Sequence, residues 1–392
     1  MNSRRCFRDD MSGSYYQEIL DKLDALVKSR FIEMFGVLDL SPQLPEWKEI
    51  GSIGKVLTGS TPKTNIDAYW NGDIKWIAPA EISSDSFYIT DTERKITVEG
   101  KSSCSLDLIK QGTVLLSSRA PIGKVAIAGT DMYCNQGFKN IECSPQLNNI
   151  FLYFILKNNA EYLNSLGRGA TFKEISREIV ESIKIPVPPI ELQKQFSDFV
   201  KQVNKSKFIA KQCLEKYNQL VKSRFIEMFE HCKRIPLTKM STIVMGQSPD
   251  SSSYNENGVG VPFHQGKTEF EDTFVTIKNY CSDPKKMAKS QDILMSVRAP
   301  VGTVNITPYD CCIGRGLSAI TPIDGKCTTR FLFTALQMIE EEIAAMGTGS
   351  TFKAINKEHM SKIMIPDADY TLQKEFSSFV ELVDKSKFSM KE

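Results

Sequence analysis

LQKQFSDFVKQVNKSKFIAKQCLEKYNQLVKSRFIEMF, Leu192 to Phe229, is the stretch that decides the fold. Apolar or small side chains stand at Phe196, Phe199, Val203, Ser206, Ala210, Cys213, Tyr217 and Leu220, in steps that alternate three and four. Residues so spaced share one face of a helix, so the stretch reads as a long helix or coiled-coil seam. Ile209, Leu214, Val221, Phe225 and Met228 widen the stripe toward its far end. Gln, Glu and Lys, all good helix formers, fill the outer positions. No proline interrupts from Ile190 to Ile235, and Pro188-Pro189 stands just ahead of the start, where a missing N–H does no harm. A helix of forty residues, 190–229, reaches about 60 Å, which makes it a strut.

Both halves of this stretch occur a second time, but apart. VKSRFIEMF stands at Val27 to Phe35 and, identical, 194 positions later at Val221 to Phe229. LQKQFSDFVKQVNKSKF from Leu192 returns 180 positions later as LQKEFSSFVELVDKSKF from Leu372. The second copy of the central unit is therefore split between the two ends of the chain, a circular arrangement opened at one point. Between the struts the repeat continues. LLSSRAPIG at Leu115 to Gly123 returns as LMSVRAPVG at Leu294 to Gly302, and GRGATFKEISRE from Gly167 returns as GTGSTFKAINKE from Gly347. These intervening regions alternate short apolar runs with Gly, Pro, Asn and Asp turns, as antiparallel strand pairs do, and close on helical stretches at Ile150 to Ser165 and Thr329 to Met346. Thr171 with Glu174 suggests a capping box for a further short helix.

The fold class is α+β: two pseudo-symmetric globular domains separated by long antiparallel helices, with N- and C-terminal helices adjacent. The boundaries are an N-terminal helix over 14–36, a first domain over 45–189, the central helix over 190–230, a second domain over 235–369 and a C-terminal helix over 370–392. Of the spacer positions, Leu192, Phe196, Phe199, Val203, Tyr217, Leu220 and Phe225 are the candidates for holding partners and helices together.

Chemistry-bearing motifs are scarce. No phosphate-loop, nucleophile-elbow or dinucleotide fingerprint occurs, and Gly347 to Lys353 has the composition of a phosphate loop without its Gly-Lys pair. His231, His264 and His359 form no spaced metal cluster, and the ten cysteines fit no zinc pattern, so neither a catalytic nor a metal site is expected. Lys plus Arg exceed Asp plus Glu by two, which excludes a strongly basic architectural protein but not a local DNA-binding surface. No long apolar run suggests a membrane span and Met1 to Asp10 lacks a signal-peptide core, so a cytoplasmic chain with reduced thiols is expected.

The repeated Arg119-Ala-Pro-Ile-Gly and Arg298-Ala-Pro-Val-Gly loops admit two readings. The arginine either contacts phosphate or clamps its own fold through an ion pair or carbonyl. Asn135-Gln136-Gly137 and Gly314-Arg315-Gly316 follow at matched distance; Asn and Gln can pair with adenine, and Arg with guanine. Lys173 and Lys353 stand in loops able to meet an anion.

Taken together, the signatures resemble the specificity subunit of type I restriction-modification systems. They are Gly59-Ser-Thr-Pro62, Trp70-Asn-Gly-Asp-Ile-Lys-Trp76, Ser118-Arg-Ala-Pro-Ile-Gly123, Asn135-Gln-Gly-Phe138, Gly169-Ala-Thr171 with Ile175, and Ile185 to Gln193. In the second half Gly246-Gln-Ser-Pro249, Val297 to Gly302, Gly349-Ser-Thr351 and Leu372-Gln373 match. The second half departs from the Trp-rich stretch, carrying Gly260-Val-Pro-Phe-His-Gln-Gly266, and Ser83 to Ser105 has no counterpart. The resemblance implies a non-catalytic subunit with two target-recognition domains, each reading one half of a bipartite, asymmetric sequence in double-stranded DNA. It implies helices that set the gap and dock two modification subunits, which hold S-adenosylmethionine and methylate a flipped-out adenine. Two restriction subunits using ATP and Mg join where the system has them. The candidate DNA-contacting set is Ser60, Thr61, Lys63, Lys75, Arg119, Lys124, Asn135, Gln136, Arg168 and Lys173 in the first domain. In the second it is Gln247, Ser248, His264, Gln265, Arg298, Arg315 and Lys353. The rival reading is a coiled-coil interaction scaffold without DNA contact.

Overall fold

The computed structural model describes residues 12–37, 40, 47–83, 86–169, 173–271, 273–348 and 353–389. Five helices frame it: α1 (Ser12–Phe35), α2 (Asn149–Asn158), α3 (Ile190–Phe229), α4 (Thr329–Met338) and α5 (Tyr370–Ser389). α3 is unbroken over its 40 residues. Gly36, at φ +77°, closes α1 in the left-handed conformation, with its N–H on the Ile32 carbonyl.

Two compact units divide the chain, each joining helix segments to a globular region. One unit is Leu23–Ser206; the other joins the start of α1, up to Lys22, to the chain from Lys207 onward. The cut passes through α1 and α3, and the two ends of α3 lie in different buried clusters. In the first unit Val27 and Phe31 of α1, Phe196, Val200 and Val203 of α3, and Phe151, Leu152 and Ile155 of α2 share one buried cluster. In the second, Phe225 and Phe229 of α3, Phe376 and Val380 of α5, and Phe331, Leu332 and Leu336 of α4 do the same. Ring centroids of Phe31 lie 5.3 Å from Phe196 and 5.9 Å from Phe151; the equivalent Phe225 lies 5.4 Å from Phe376 and 5.6 Å from Phe331. Burying each such ring contributes about 2–3 kcal/mol. Phe196, Val203 and Phe225 are therefore core residues of the heads and unavailable to a partner. Leu192 and Phe199 are partly buried, and Tyr217 half-buried, whereas Leu220 is exposed. Between Val203 and Phe225 no residue of α3 is fully buried, and Phe208 and Ile209 are exposed.

One buried side chain in each unit ties helix to head. The Gln193 amide donates to the Gln146 and Pro188 carbonyls, and its Oε1 accepts from the Asn148 N–H, 2.8 Å away. Gln373 repeats this on the Lys326 and Ala368 carbonyls and the Thr328 N–H. Asn148 and Thr328 are the N-caps of α2 and α4, so the clamp fixes where those helices start.

The sheets show the pseudo-symmetry strand by strand. In the first unit the labelled strands are β1 (Gly54–Thr58), β2 (Trp70–Ile77), β3 (Tyr88–Ile89), β4 (Arg94–Ile96), β5 (Val114–Leu116), β6 (Val125–Ala128), β7 (Tyr133–Cys134) and β8 (Lys139–Cys143). In the second they are β9 (Ser241–Met245), β10 (Tyr254–Asn255), β11 (Val261–His264), β12 (Asn279–Cys281), β13 (Met287–Ala288), β14 (Ile293–Ser296), β15 (Val304–Ile306), β16 (Cys311–Ile313) and β17 (Leu317–Pro322). The main sheet has order β1-β8-β5-β6-β3 in one unit and β9-β17-β14-β15 in the other, the same four strands in the same order. A second sheet has order β4-β2-β7 in the first and β10-β12-β11-β16-β13 in the second. The expectation of antiparallel pairs alone does not hold: β2 with β7, β3 with β6 and β11 with β16 are parallel. The suggested capping box at Thr171 lies outside the described residues; the helix that follows, Arg177–Ser182, is capped by Ser176, whose hydroxyl accepts from the Ile179 N–H.

Candidate nucleic-acid interface

Four sequence motifs, far apart in the chain, are laced into one loop cluster by backbone hydrogen bonds. Ser60 N–H donates to the Cys134 carbonyl at 3.0 Å, which lays the Gly59-Ser-Thr-Pro62 turn on the Asn135-Gln-Gly loop. Ser118 N–H donates to the Gly137 carbonyl at 2.8 Å, which adds the Arg119-Ala-Pro loop. Ile175 N–H donates to the Ser118 carbonyl at 3.0 Å, and Arg168 and Glu174 exchange two such bonds, which adds the last loop. The second unit repeats every rung: Gln247 to Ile313, Val297 to Gly316, Ile355 to Val297, and the exchange between Thr348 and Ala354. Glycine opens the first motif in both units because the turn presses on its neighbour. A Cβ on Gly59 would lie 2.1 Å from the Cys134 oxygen, and one on Gly246 would lie 2.1 Å from the Gly314 oxygen. The Ala-Pro bonds of both arginine loops are cis.

The scaffold is the same in the two clusters and the side chains on it are not. Gln136 and Arg315, both exposed, hold matching positions. The Gln136 Oε1 accepts from the Thr61 hydroxyl, whereas the Arg315 N–H donates to the Ser248 hydroxyl at 3.2 Å. Asn135, half-buried, accepts from the Gly137 N–H on its Oδ1 at 2.8 Å. Arg168, Lys173, Gln247, Gln265, Arg298 and Lys353 are exposed, as is Lys63. Ser60 and Thr61 are half-buried within the ladder.

Three candidates do not join a free basic surface. Lys75 donates to the Thr90 carbonyl at 2.7 Å, on the β2 sheet, and Lys124 donates to the Pro79 carbonyl at 3.4 Å; both are only part-exposed. His264 is fully buried and cannot reach a base edge. Its β11 register places it opposite Ile313 of β16, as Ile77 stands opposite Cys134, so the histidine occupies a core position that the first unit fills with isoleucine. Burial pushes its imidazole down to about 4, and Nδ1 has no hydrogen-bond partner.

The loop arginine is paired differently in the two units. Arg119 Nε donates to Glu174 Oε2 at 2.9 Å, and Glu174 Oε1 takes the Lys139 ammonium at 3.2 Å. Burial favours the neutral acid, but the hydrogen bonds from Arg119 and Lys139 outweigh it and hold the Glu174 carboxyl below the usual range. Arg298 has no carboxylate partner among the described residues. Lys139 was missed in the sequence; it pairs with Thr58 in the β1–β8 register, a lysine in a strand core whose carboxylate lies 35 residues away. Arg94 was missed as well. Its guanidinium lies 3.8 Å from the Trp70 ring centroid and 5.4 Å from Trp76, on a stretch without a counterpart in the second unit. The Trp-x5-Trp spacing was a usable signal, but nothing in the sequence points to the arginine that covers it.

The family described as type I restriction modification DNA specificity domain matches residues 45–219 and again 231–392. The chain belongs to the specificity subunits of type I restriction-modification systems. Among similar relatives of this specificity subunit is the one assigned to the MjaX type I restriction enzyme of Methanocaldococcus jannaschii, 35% identical over 300 residues, covering 69% of this chain and 70% of the relative. The MjaIX specificity subunit of the same organism is 39% identical over 177 residues, 44% of this chain and 41% of its own. A solved chain from work on complex assembly and conformational transition of the type I R-M system superposes with a TM-score of 0.54 at 26% identity, covering 89% of this chain and 92% of the other. A specificity subunit serves DNA recognition within a type I complex and has no catalysis of its own. It assembles with DNA and with other subunits of that complex.

Proposed function

We propose that each loop cluster reads one half of a bipartite, asymmetric DNA target, and that α3 with α1 and α5 sets the gap between the halves. The observation that carries this is the doubled ladder. Identical backbone rungs present Gln136 in one unit and Arg315 in the other, and Arg168 in one where the other has Thr348. A fixed scaffold with exchanged tips suits two modules of one design reading different base edges, since side chains at the tips specify while backbone and phosphate contacts position.

The same helices dock two modification subunits, each holding S-adenosylmethionine and methylating an adenine extruded from the duplex. Support comes from the identical stretch, which spans ten residues, Leu26–Phe35 and Leu220–Phe229. Packing accounts for Phe31 and Phe225 but not for exposed Lys28, Ser29, Ile32 and Glu33, or for their exposed copies Lys222, Ser223, Ile226 and Glu227. Two identical outward faces suit two copies of one partner. Restriction subunits that use ATP and Mg add to this core where the system has them, and the chain works in the cytoplasm.

The test is exchange of residues 45–189 for the matching domain of a relative, expressed with the modification subunits, followed by mapping of methylated adenines. One half-site changes and the other stays. A change in both half-sites, or in neither, overturns the modular reading.

A further inference from the structure

The two loop clusters differ most sharply around their shared arginine. In the first unit Arg119 is one member of a three-residue charge cluster with Glu174 and the nearly buried Lys139, whose side chain is 9% exposed. In the second unit both other members are replaced. The β9–β17 register puts Ser318 where Lys139 stands, and the Arg298 bridge falls on Ala354 where the Arg119 bridge falls on Glu174. Loss of the lysine and of the glutamate go together. A buried lysine without its carboxylate would be costly, and Ser318, whose hydroxyl is buried without a partner, leaves no charge there.

Net charge does not separate the two arrangements. Two cations and one anion leave one positive charge, as does Arg298 alone. Availability separates them. An incoming phosphate at Arg119 meets the Glu174 carboxylate 2.9 Å from the guanidinium, must share its donors and is repelled by its charge. At Arg298 no carboxylate competes among the described residues, and none of them is paired with its guanidinium donors.

We infer that the matching arginines have parted roles: Arg298 is a phosphate-positioning residue of the second head, whereas Arg119 is a latch that holds Glu174 in the first. The inference rests on the DNA-reading proposal and adds an asymmetry to it. The second head takes part of its backbone grip from this arginine, and the first takes its grip from other cations.

The experiment uses the whole chain assembled with its modification subunits and measures affinity for a target duplex over a series of salt concentrations. Arg298→Ala weakens binding roughly five- to tenfold, equally for target and non-target duplex, and lowers the slope of log affinity against log salt by about one. Ala354→Glu, which rebuilds the competing carboxylate, weakens binding in the same direction with Arg298 intact. Arg119→Ala leaves the salt slope unchanged and lowers the melting temperature of the first unit. Glu174→Ala frees Arg119 and steepens the slope. A wild-type slope in Arg298→Ala, or an equal loss of slope in Arg119→Ala and Arg298→Ala, overturns the inference while leaving two-headed recognition standing. Absence of duplex binding by the wild-type complex overturns both.

Discussion

At the scale of single residues, the side chains that matter most to the fold are polar and buried. Gln193 and Gln373 are each fully enclosed, and each closes three hydrogen bonds between a strut helix and a head. Gln193→Leu fills the space but leaves the Asn148 N–H and two carbonyls without partners. Each orphan costs about 1–3 kcal/mol, so the first unit should lose at least ~2 kcal/mol in denaturant unfolding, and Gln373→Leu should cost the second unit the same. Exposed Gln202→Leu on the same helix is the control, with a change within about 0.5 kcal/mol. A Gln193→Leu shift no larger than the control's would show that the clamp is dispensable. His264 makes the opposite case. It stays neutral in the folded head down to about 4, whereas in the unfolded chain it protonates near the ordinary value of about 6.5. The unfolded state therefore gains a proton first as pH falls. Stability present above pH ~6.5 declines through that window and levels off below about 4, a loss on the order of 3 kcal/mol. His264→Ile installs the residue that the first unit carries at this position, and the Tyr309 hydroxyl keeps the Val275 carbonyl as acceptor. Thermal unfolding of the variant from pH 7 to 4 should lack this component; an undiminished decline would assign it to other groups.

At the scale of elements, α3 is the feature whose sequence was easiest to read. Its apolar stripe and its freedom from proline foretell a helix over 190–230, and Ile190–Phe229 is observed. The stripe, however, says only that a face is buried and not by what. Phe196 and Phe225 read as spacer positions, but they pack on α2 and α4, because helix ends and head cores are one hydrophobic cluster in each unit. The repeat made the pseudo-symmetry legible for a related reason: identical packing partners keep Phe31 and Phe225 identical. Pairings across long sequence separations stayed hidden. Arg119 meets Glu174 55 residues away, and no local pattern marks either as the other's partner. His264 stood among the candidate DNA contacts, whereas the parallel β11–β16 pairing draws it into the core. A proline tests whether α3 acts as a ruler. Lys211 lies in the stretch where no α3 residue is fully buried, so Lys211→Pro removes one backbone bond and clashes with the preceding turn at a cost of about 3 kcal/mol to the helix. Both head cores lie outside that stretch and should unfold as in the wild type. Methylation of the bipartite target should nevertheless drop well below that of the Lys211→Ala control. Equal methylation by the two variants would mean that continuity of α3 does not set the gap.

At the scale of the whole molecule, the question is why one chain carries the same outward-facing sequence twice. Core packing constrains buried positions only, and the surface is free to drift; yet Leu26, Ile32, Leu220 and Ile226 are exposed by 48%, 40%, 48% and 43%, the same residue types at the same places in both copies. Exposed apolar side chains add little to the isolated fold, and their recurrence at matched positions is what the proposed docking face would account for. One copy lies in one unit and the second copy in the other, so a partner that recognises this stretch would meet it twice. Ile32→Glu places a charge in one such face and Ile226→Glu in the other, and neither touches the buried Phe31 or Phe225. Each single variant should therefore bind one modification subunit instead of two, and the double variant none, as read by the mass of the assembled complex in native mass spectrometry. The singles should also differ in outcome. Each should lose methylation of the adenine served by the affected site, while the remaining subunit stays on the opposite unit. A complex with two modification subunits on the double variant would remove the identical stretch from the docking surface and leave its duplication without a physical account.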